Sequence, residues 1–571
     1  MSRNVLIAGF MGLLLGVQPA VAGAPADLVV CNGAVYTVEE GRPWAEAFAV
    51  RKGKVVAVGT TAKVKALVGP RTQVVDLHGA MVMPGLNDVH AHPLDGGYED
   101  LFMCNFPPSA TFEEILQRVR ESVAKAQPGD WIVGGSWGGQ IMATLSTEAA
   151  RQALDQASGG HPVLLRDISF HNRFANTAAL QKAGIDRKSE GPAGTSIVKD
   201  AKTGEPTGLL IEFGAFAALE KAMPPHPRER QERAAAHAVA RMNALGITGV
   251  QDAYSSEDYL RVWSGLDRRG GLSMWYIASM PAVPMAPGQK AGMALVKERG
   301  SFQGPHLEPR FVKFFLDGIP PARTAKMIDP YLPEPGQGEP GNGPSYFTTE
   351  ELAKAIQPFD RMGLGVKIHA AGDGSVRMSL DAIAQVRRVN GVKGPTHHIA
   401  HTSLLHPSDY PRFRQLNVVA DISPMLWFPT GLWMAMVPAI GPERAGRFFP
   451  NKDVLGAGAL VAGGSDWPAG QATPDPWIGL EGLVTRRDPM GIFPGALGPE
   501  QALDLATAIR IYTLNSAKAM GLAQRTGSLK VGKSADFIIL DRNLFKVPAE
   551  QIHQTQVQAT YFQGHRVYAK P

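Results

Sequence analysis

The run Met81-Val82-Met83-Pro84-Gly85-Leu86-Asn87-Asp88-Val89-His90-Ala91-His92 decides how this chain is read. An apolar stretch of this length, closed by polar residues, marks a buried strand, and side chains two apart on a strand share a face. His90 and His92 therefore point the same way from one strand end. Two neutral imidazoles at one point suit Zn²⁺ or a similar borderline metal. A single His-x-His pair carries little alone, so the question is whether other strands end in matching ligands.

Seven more apolar runs follow, at 247–252, 274–279, 310–316, 365–369, 398–401, 418–423 and 460–465, and with 81–90 they make eight. Helical stretches separate them, the pattern of a parallel α/β architecture. Eight such units with polar residues at their C-terminal ends predict a TIM-like (β/α)₈ barrel with its active site on that face. A length of 571 residues suits such a barrel, here 81–524, with additions. Strand-and-turn patterns at 27–38, 47–50, 54–59, 535–540 and 556–568 flank the middle. Neither end can fill a two-sheet core alone, so 23–80 and 525–571 are expected to meet in one small β-sandwich domain. The stretch 95–246 is too long for a first strand-to-helix connection. It carries its own strands near 131–135 and 162–166 and a helix opened by Thr111 and Glu114 at capping-box spacing. An inserted subdomain after the first barrel strand is expected there, and a mobile Gly/Pro-rich loop at 330–343.

The 57 Lys and Arg against 52 Asp and Glu leave a formal charge of +5 with no basic block, which gives nucleic acid or a membrane surface no footing. Arg3, the apolar stretch 5–17 and Ala20-Val21-Ala22 read as a signal peptide over 1–22, cleaved before Gly23, and imply a periplasmic or secreted protein. Gly9, Gly12 and Gly16 interrupt that stretch, so no stable membrane span is expected. Cys31 and Cys104 are the two cysteines, read as buried hydrophobes or, in an oxidising compartment, a disulfide.

Lys313 lies inside the apolar run Arg310-Phe-Val-Lys-Phe-Phe-Leu-Asp-Gly318. A buried ammonium must find a partner, lose its proton or be modified. Asp317 is one candidate partner, and a path to water along the strand is another outlet. His369, His401 and Asp466 each end a separate predicted strand. Together with His90 and His92 they are hard to read as satisfied core residues. Neither Cys has a His placed as its base.

The segments Asp88-x-His-x-His-Pro93, Val312-Lys-x-x-x-Asp-Gly318, His369-Ala-Ala-Gly-Asp373, Gly464-Ser-Asp-Trp-Pro468, Val484-Thr-Arg486, Tyr512-Thr-x-Asn515 and Gly527-Ser-Leu-Lys-Val-Gly-Lys-Ser-Ala-Asp536 span nearly the whole chain. They resemble family 3 of the metal-dependent amidohydrolase superfamily, the branch of N-substituted formamide deformylase-like enzymes. That resemblance implies a binuclear site, usually zinc, at the barrel mouth. By position, His90 and His92 would bind a buried Zn²⁺ and His369 and His401 a more exposed one. Lys313 matches a lysine carboxylated in many relatives, an anion that bridges both ions. Asp466 would bind metal and serve as the base. One departure is Ala400, where relatives often carry Glu; His397 or His398 offers a polar substitute near His401. Two ions roughly 3.5–4 Å apart would hold a bridging hydroxide and polarise a carbonyl, while Asp466 moves the proton.

Candidate substrate contacts are Trp137, His171, Arg323 and Trp467, with Asn172 and Glu212 nearby. His171 is also a candidate catalytic donor to a developing oxyanion, and 424–436 a hydrophobic wall or lid. The expected activity is exported, metal-dependent cleavage of an amide-type C–N bond in a small N-acyl, N-formyl or aryl amide. An esterase, lactonase or carbamate hydrolase would use the same site, and a binding or regulatory protein with a decayed site is the non-catalytic alternative. A homo-oligomer is compatible with such a fold.

Overall fold

The computed structural model describes residues 24–168, 170–192, 195–285, 288–333 and 339–571. The expected signal peptide lies outside them, as does 334–338 in the loop expected to be mobile.

Eight parallel strands follow one another in a single sheet: β1 (Leu86–Ala91), β2 (Ile247–Asp252), β3 (Trp275–Pro281), β4 (Leu307–Phe315), β5 (Gly365–Ala370), β6 (His397–His401), β7 (Val418–Ile422) and β8 (Leu460–Gly463). Helices such as Thr349–Arg361 and Asp373–Asn390 run between them and bury their apolar faces on the sheet. A sheet covered on both faces needs near-continuous apolar strands, which is why the runs were readable. The eighth strand returns to the first. The backbone N–H of Asp466 donates to the His90 carbonyl (2.6 Å), and that of His92 to the Trp467 carbonyl (2.7 Å). Gly464 permits this seam, since a Cβ there would stand 2.7 Å from the backbone nitrogen and Cβ of His90.

The run expected as one strand over 81–90 is two. Met81–Pro84 pairs in parallel with Ala34–Tyr36 and antiparallel with Phe537–Leu540, while β1 begins at Leu86. Gly85 is the hand-over: any side chain there would overlap Thr248 of β2. The first part belongs to a six-stranded sheet built from both chain ends, which faces a four-stranded sheet of Leu28–Cys31, Ala47–Arg51, Lys54–Gly59 and Gln73–Asp76. Val30, Phe48, Val50, Val55, Val82, Phe537 and Tyr561 fill the space between them, so each end supplies what the other lacks.

After β1 the helix Pro93–Phe102 leads into an inserted six-stranded sheet that includes Ile132–Trp137, Val163–Asp167, Asn172–Ala175 and Pro206–Ile211. The helix Phe112–Val123 opens with Thr111 and Glu114 in a reciprocal capping box. The helix Arg228–Ala244 closes the excursion and packs on the barrel core through Ala234, Ala235, Ala238 and Met242. Cys31 and Cys104 are free thiols buried in separate cores. No helix of the described residues is long and apolar enough to cross a membrane.

Because β8 meets β1 without room for a methyl group, Gly464→Ala should cost about 1–3 kcal/mol by overpacking. The expected result is a lower thermal midpoint than wild type; an unchanged midpoint would mean that the seam relaxes freely.

Candidate metal centre

Four imidazoles and two charged side chains meet at the C-terminal ends of the barrel strands. His90 lies in β1, and His92 lies just past it at the start of the helix Pro93–Phe102. Lys313 comes from β4, His369 from β5 and His401 from β6, and Asp466 from the turn after β8. One Asp466 oxygen lies 3.4 Å from both His90 Nε2 and His92 Nε2, and the other 3.8 Å from His401 Nδ1. His90, His401 and Asp466 each offer a ligand atom, all within 4.8 Å of one another. Asp466 and His401 hold φ of +58° and +78°, a conformation that non-glycine residues adopt under constraint.

Three of the imidazoles spend one nitrogen on an oxygen. His90 Nδ1 lies 3.0 Å from Asp421 Oδ2, His369 Nε2 3.3 Å from the Gly318 carbonyl, and His401 Nδ1 2.8 Å from the Ser423 carbonyl. Those acceptors assign the N–H to that side of each ring, so the opposite nitrogen carries the lone pair. His401 Nε2 and His369 Nδ1 then face each other across 2.7 Å, which brings ring nitrogens from two strands to one point. Burial, aided by neighbouring cations, holds His90, His369 and His401 well below the ordinary imidazole range, in the neutral form that binds metal. Burial also pushes the Asp466 carboxyl up, although its bond to His92 opposes this. For His92, burial is outweighed by Asp466 and the charges of Asp252 and Asp95, and its pKa rises.

Lys313 is 2% exposed. Its nearest polar contact is His90 Nε2 at 3.4 Å, and among the described residues no carboxylate oxygen lies within ion-pair distance. Burial, with the charge of Lys367 beside it, lowers its pKa to about 7. The sequence-based pairing with Asp317 does not form. Asp317 instead accepts from the backbones of Ala371, Gly372 and Lys326 and from Ser375 Oγ, and so ties the loop after β5 to the loop after β4. A buried, unpaired lysine among neutral imidazoles and a carboxylate fits a site built for cations.

Sequence reading missed Asp421 and Lys367. Both sit inside apolar runs, Val418-Val-Ala-Asp421-Ile422 and Val366-Lys367-Ile368, and the rule applied to Lys313 would have flagged them. Asp88 is a third buried charge, accepting from Ser465 Oγ (2.5 Å) and the backbones of His90 and Ser465. Burial raises its pKa to about 7.

The inserted sheet brings His171 to the site's edge, near His369. Its Nδ1 lies 2.9 Å from Glu212 Oε2; Glu212 holds φ +66° and keeps a buried Oε1 without a partner. The backbone of Gly470 donates to the Ile168 carbonyl (3.1 Å) and that of Ile168 to Trp137, which joins the insert to the loop carrying Asp466 and Trp467. Trp137 and Trp467 are each 1% exposed; the first packs in the inserted core and the second against Gly96. Arg323 lies on the loop after β4, donates to the Leu332 carbonyl (2.7 Å) and faces Tyr331. After β7, Met425, Leu426, Trp427 and Phe428 are buried in the core, Trp433 is half-buried and Met434 is exposed.

Residues 73–568 match the model of the Amidohydrolase family. Protein LONG AFTER FAR-RED 3 of Arabidopsis thaliana is 30% identical over 96% of this chain and 92% of its own length. N-substituted formamide deformylase of Arthrobacter pascens is 27% identical, covering 94% of this chain and 97% of its own. A crystal structure of an uncharacterized metal-dependent hydrolase from Pyrococcus horikoshii OT3 superimposes with a TM-score of 0.71 at 26% identity, over 95% of this chain and all of that one. With the family model matched over most of its length and its candidate ligands gathered at one barrel mouth, this chain belongs to the amidohydrolase family.

Proposed function

We propose that this chain is an exported hydrolase that cleaves an amide-type C–N bond in a small, largely apolar substrate, with two divalent cations, zinc foremost. The observation that carries this reading is the convergence of His90, His401 and Asp466 beside the buried, unpaired Lys313. The name of the Arthrobacter relative, a deformylase of N-substituted formamides, supports an N-formyl or N-acyl amide. The apolar stretch after β7 would supply the wall for an apolar acyl or aryl group.

When bound, the cations would supply a nucleophilic water at neutral pH and polarise the scissile carbonyl. His90, His92, His369, His401 and Asp466 would hold them. Burial lowers the Lys313 pKa to about 7, so about half of it is the neutral amine at neutral pH, the form that takes up carbon dioxide with loss of a proton. The carbamate so formed is an anion and answers the lysine's lack of a partner. Asp466 would accept the proton of the attacking water and return it to the leaving nitrogen. His171, oriented by Glu212, would hydrogen-bond the carbonyl oxygen as negative charge develops. Of the side chains assigned to substrate contact, Arg323 is retained; Trp137 and Trp467, each 1% exposed and packed in protein, offer a substrate no surface. Export rests on Arg3, the apolar stretch 5–17 and Ala20-Val21-Ala22.

Metal analysis of the purified protein should find about two zinc per chain, falling below one in Lys313→Ala, with hydrolysis of N-formyl or N-acyl amides by the wild type alone. Fewer than about 0.2 metal per chain after growth with zinc and bicarbonate would sink the hydrolase reading; turnover of esters without amides would move the activity to an esterase. His171→Ala should lower kcat by about 10²–10³ while KM changes little, as for loss of an oxyanion donor; an unchanged kcat would remove His171 from the chemistry. N-terminal sequencing of exported material should begin at or near Gly23, and an intact Met1 terminus would contradict export.

A further inference from the structure

Beneath the candidate ligands the barrel interior holds an ion pair that takes no part in the steps described above. Lys367 of β5 and Asp421 of β7 are both fully buried, and Lys367 Nζ donates to Asp421 Oδ2. The same oxygen accepts from His90 Nδ1 at 3.0 Å, while Asp421 Oδ1 accepts from Ser423 Oγ at 3.0 Å. Lys367 Nζ also donates to the Val89 carbonyl at 2.8 Å, one residue before His90. Asp421 is thus held from three sides, and both of its oxygens are occupied.

A buried ion pair is weak support for stability, because desolvating two charges offsets most of their attraction. This pair is placed for a different task. A carboxylate on one ring nitrogen fixes the tautomer and the ring plane, and it raises the basicity of the other nitrogen. We propose that Asp421 and Lys367 are positioning residues for the candidate metal centre: Asp421 fixes His90 with its proton on Nδ1 and Nε2 facing the cation, and Lys367 anchors both Asp421 and the β1 backbone. Neither touches the substrate or a reacting atom. The inference rests on the metal-centre reading above. It adds that the cation held by His90 depends on a pair the ligand set does not include.

The double variant Asp421→Leu/Lys367→Met removes both charges and keeps apolar bulk, a change that buried pairs commonly tolerate. Zn²⁺ affinity, measured by competition with a chelator on metal-free protein, should fall about 10–100-fold. Zinc content should drop from about two toward one per chain as the ion on His90 is lost. Near-UV circular dichroism of the metal-free protein should match wild type, which separates lost positioning from lost fold. Ser423→Ala, which removes only the hydroxyl donor to Asp421, should weaken Zn²⁺ several-fold and keeps the test decisive if the double variant does not fold. Wild-type affinity in a folded double variant, or in Ser423→Ala where the double variant is lost, would overturn the positioning role. A wild-type protein that takes up no Zn²⁺ would overturn the metal-centre reading instead.

Discussion

The candidate site depends on the closure of β8 onto β1. Asp466 reaches His90 and His92 from the far end of the chain; the adjoining bond from Ser465 to Asp88 spans 377 residues of sequence. Nothing local to either segment brings them together. The seam is made by backbone N–H groups of Asp466 and His92 meeting carbonyls of the opposite segment, with Gly464 giving the close approach. The same bonds hold the strained backbone of Asp466, which would otherwise relax at a gain of about 1–3 kcal/mol. An open barrel would keep the lysine and the four candidate histidine ligands in place on β1, β4, β5 and β6 or just past them, and lose the carboxylate that joins them.

The second constraint is that charges inside a dry barrel must be compensated, and each one here is compensated differently. Asp88 gathers a hydroxyl and two backbone donors. Lys367 and Asp421 compensate each other. Asp466 leans on His92. Lys313 has no such solution in the protein alone, and its pKa falls to about 7. A layer of satisfied polar groups below and one unsatisfied lysine at the mouth is what a site completed by cations requires. A core built only for stability would have replaced these groups by aliphatic side chains at little cost or at a gain.

Much of this was legible in the sequence because parallel barrel strands carry a simple signal. They are buried on both faces, so they read as apolar runs, and their polar ends mark the functional rim. Each of the eight runs holds a barrel strand, although the first gives 81–84 to the flanking sheet. The illegible parts are those set by register between distant strands. The break at Gly85 is one residue long and hides inside a continuous apolar run, so 81–90 read as one strand. Lys313 and Asp317 are close in sequence, which suggested a pair, but Asp317 is claimed by the backbone after β5. Lys367 finds its partner two strands away, on β7, and no local pattern announces that.

The geometry also divides the work between the two bodies of the chain. Ligand-type side chains come from barrel strands or the residues just past their C-terminal ends, whose positions are fixed by hydrogen-bonded register. His171 and Glu212 come from the inserted sheet, whose edge reaches the mouth through Ile168 and Gly470. A change at His171 or Glu212 can therefore alter the group beside the centre without disturbing the candidate ligands. The reverse does not hold, because β1 and β6 carry both ligands and barrel packing. Relatives that share the barrel and differ in substrate would be expected to differ first in the insert and in the loop after β7, where the accessible Trp433 and Met434 lie.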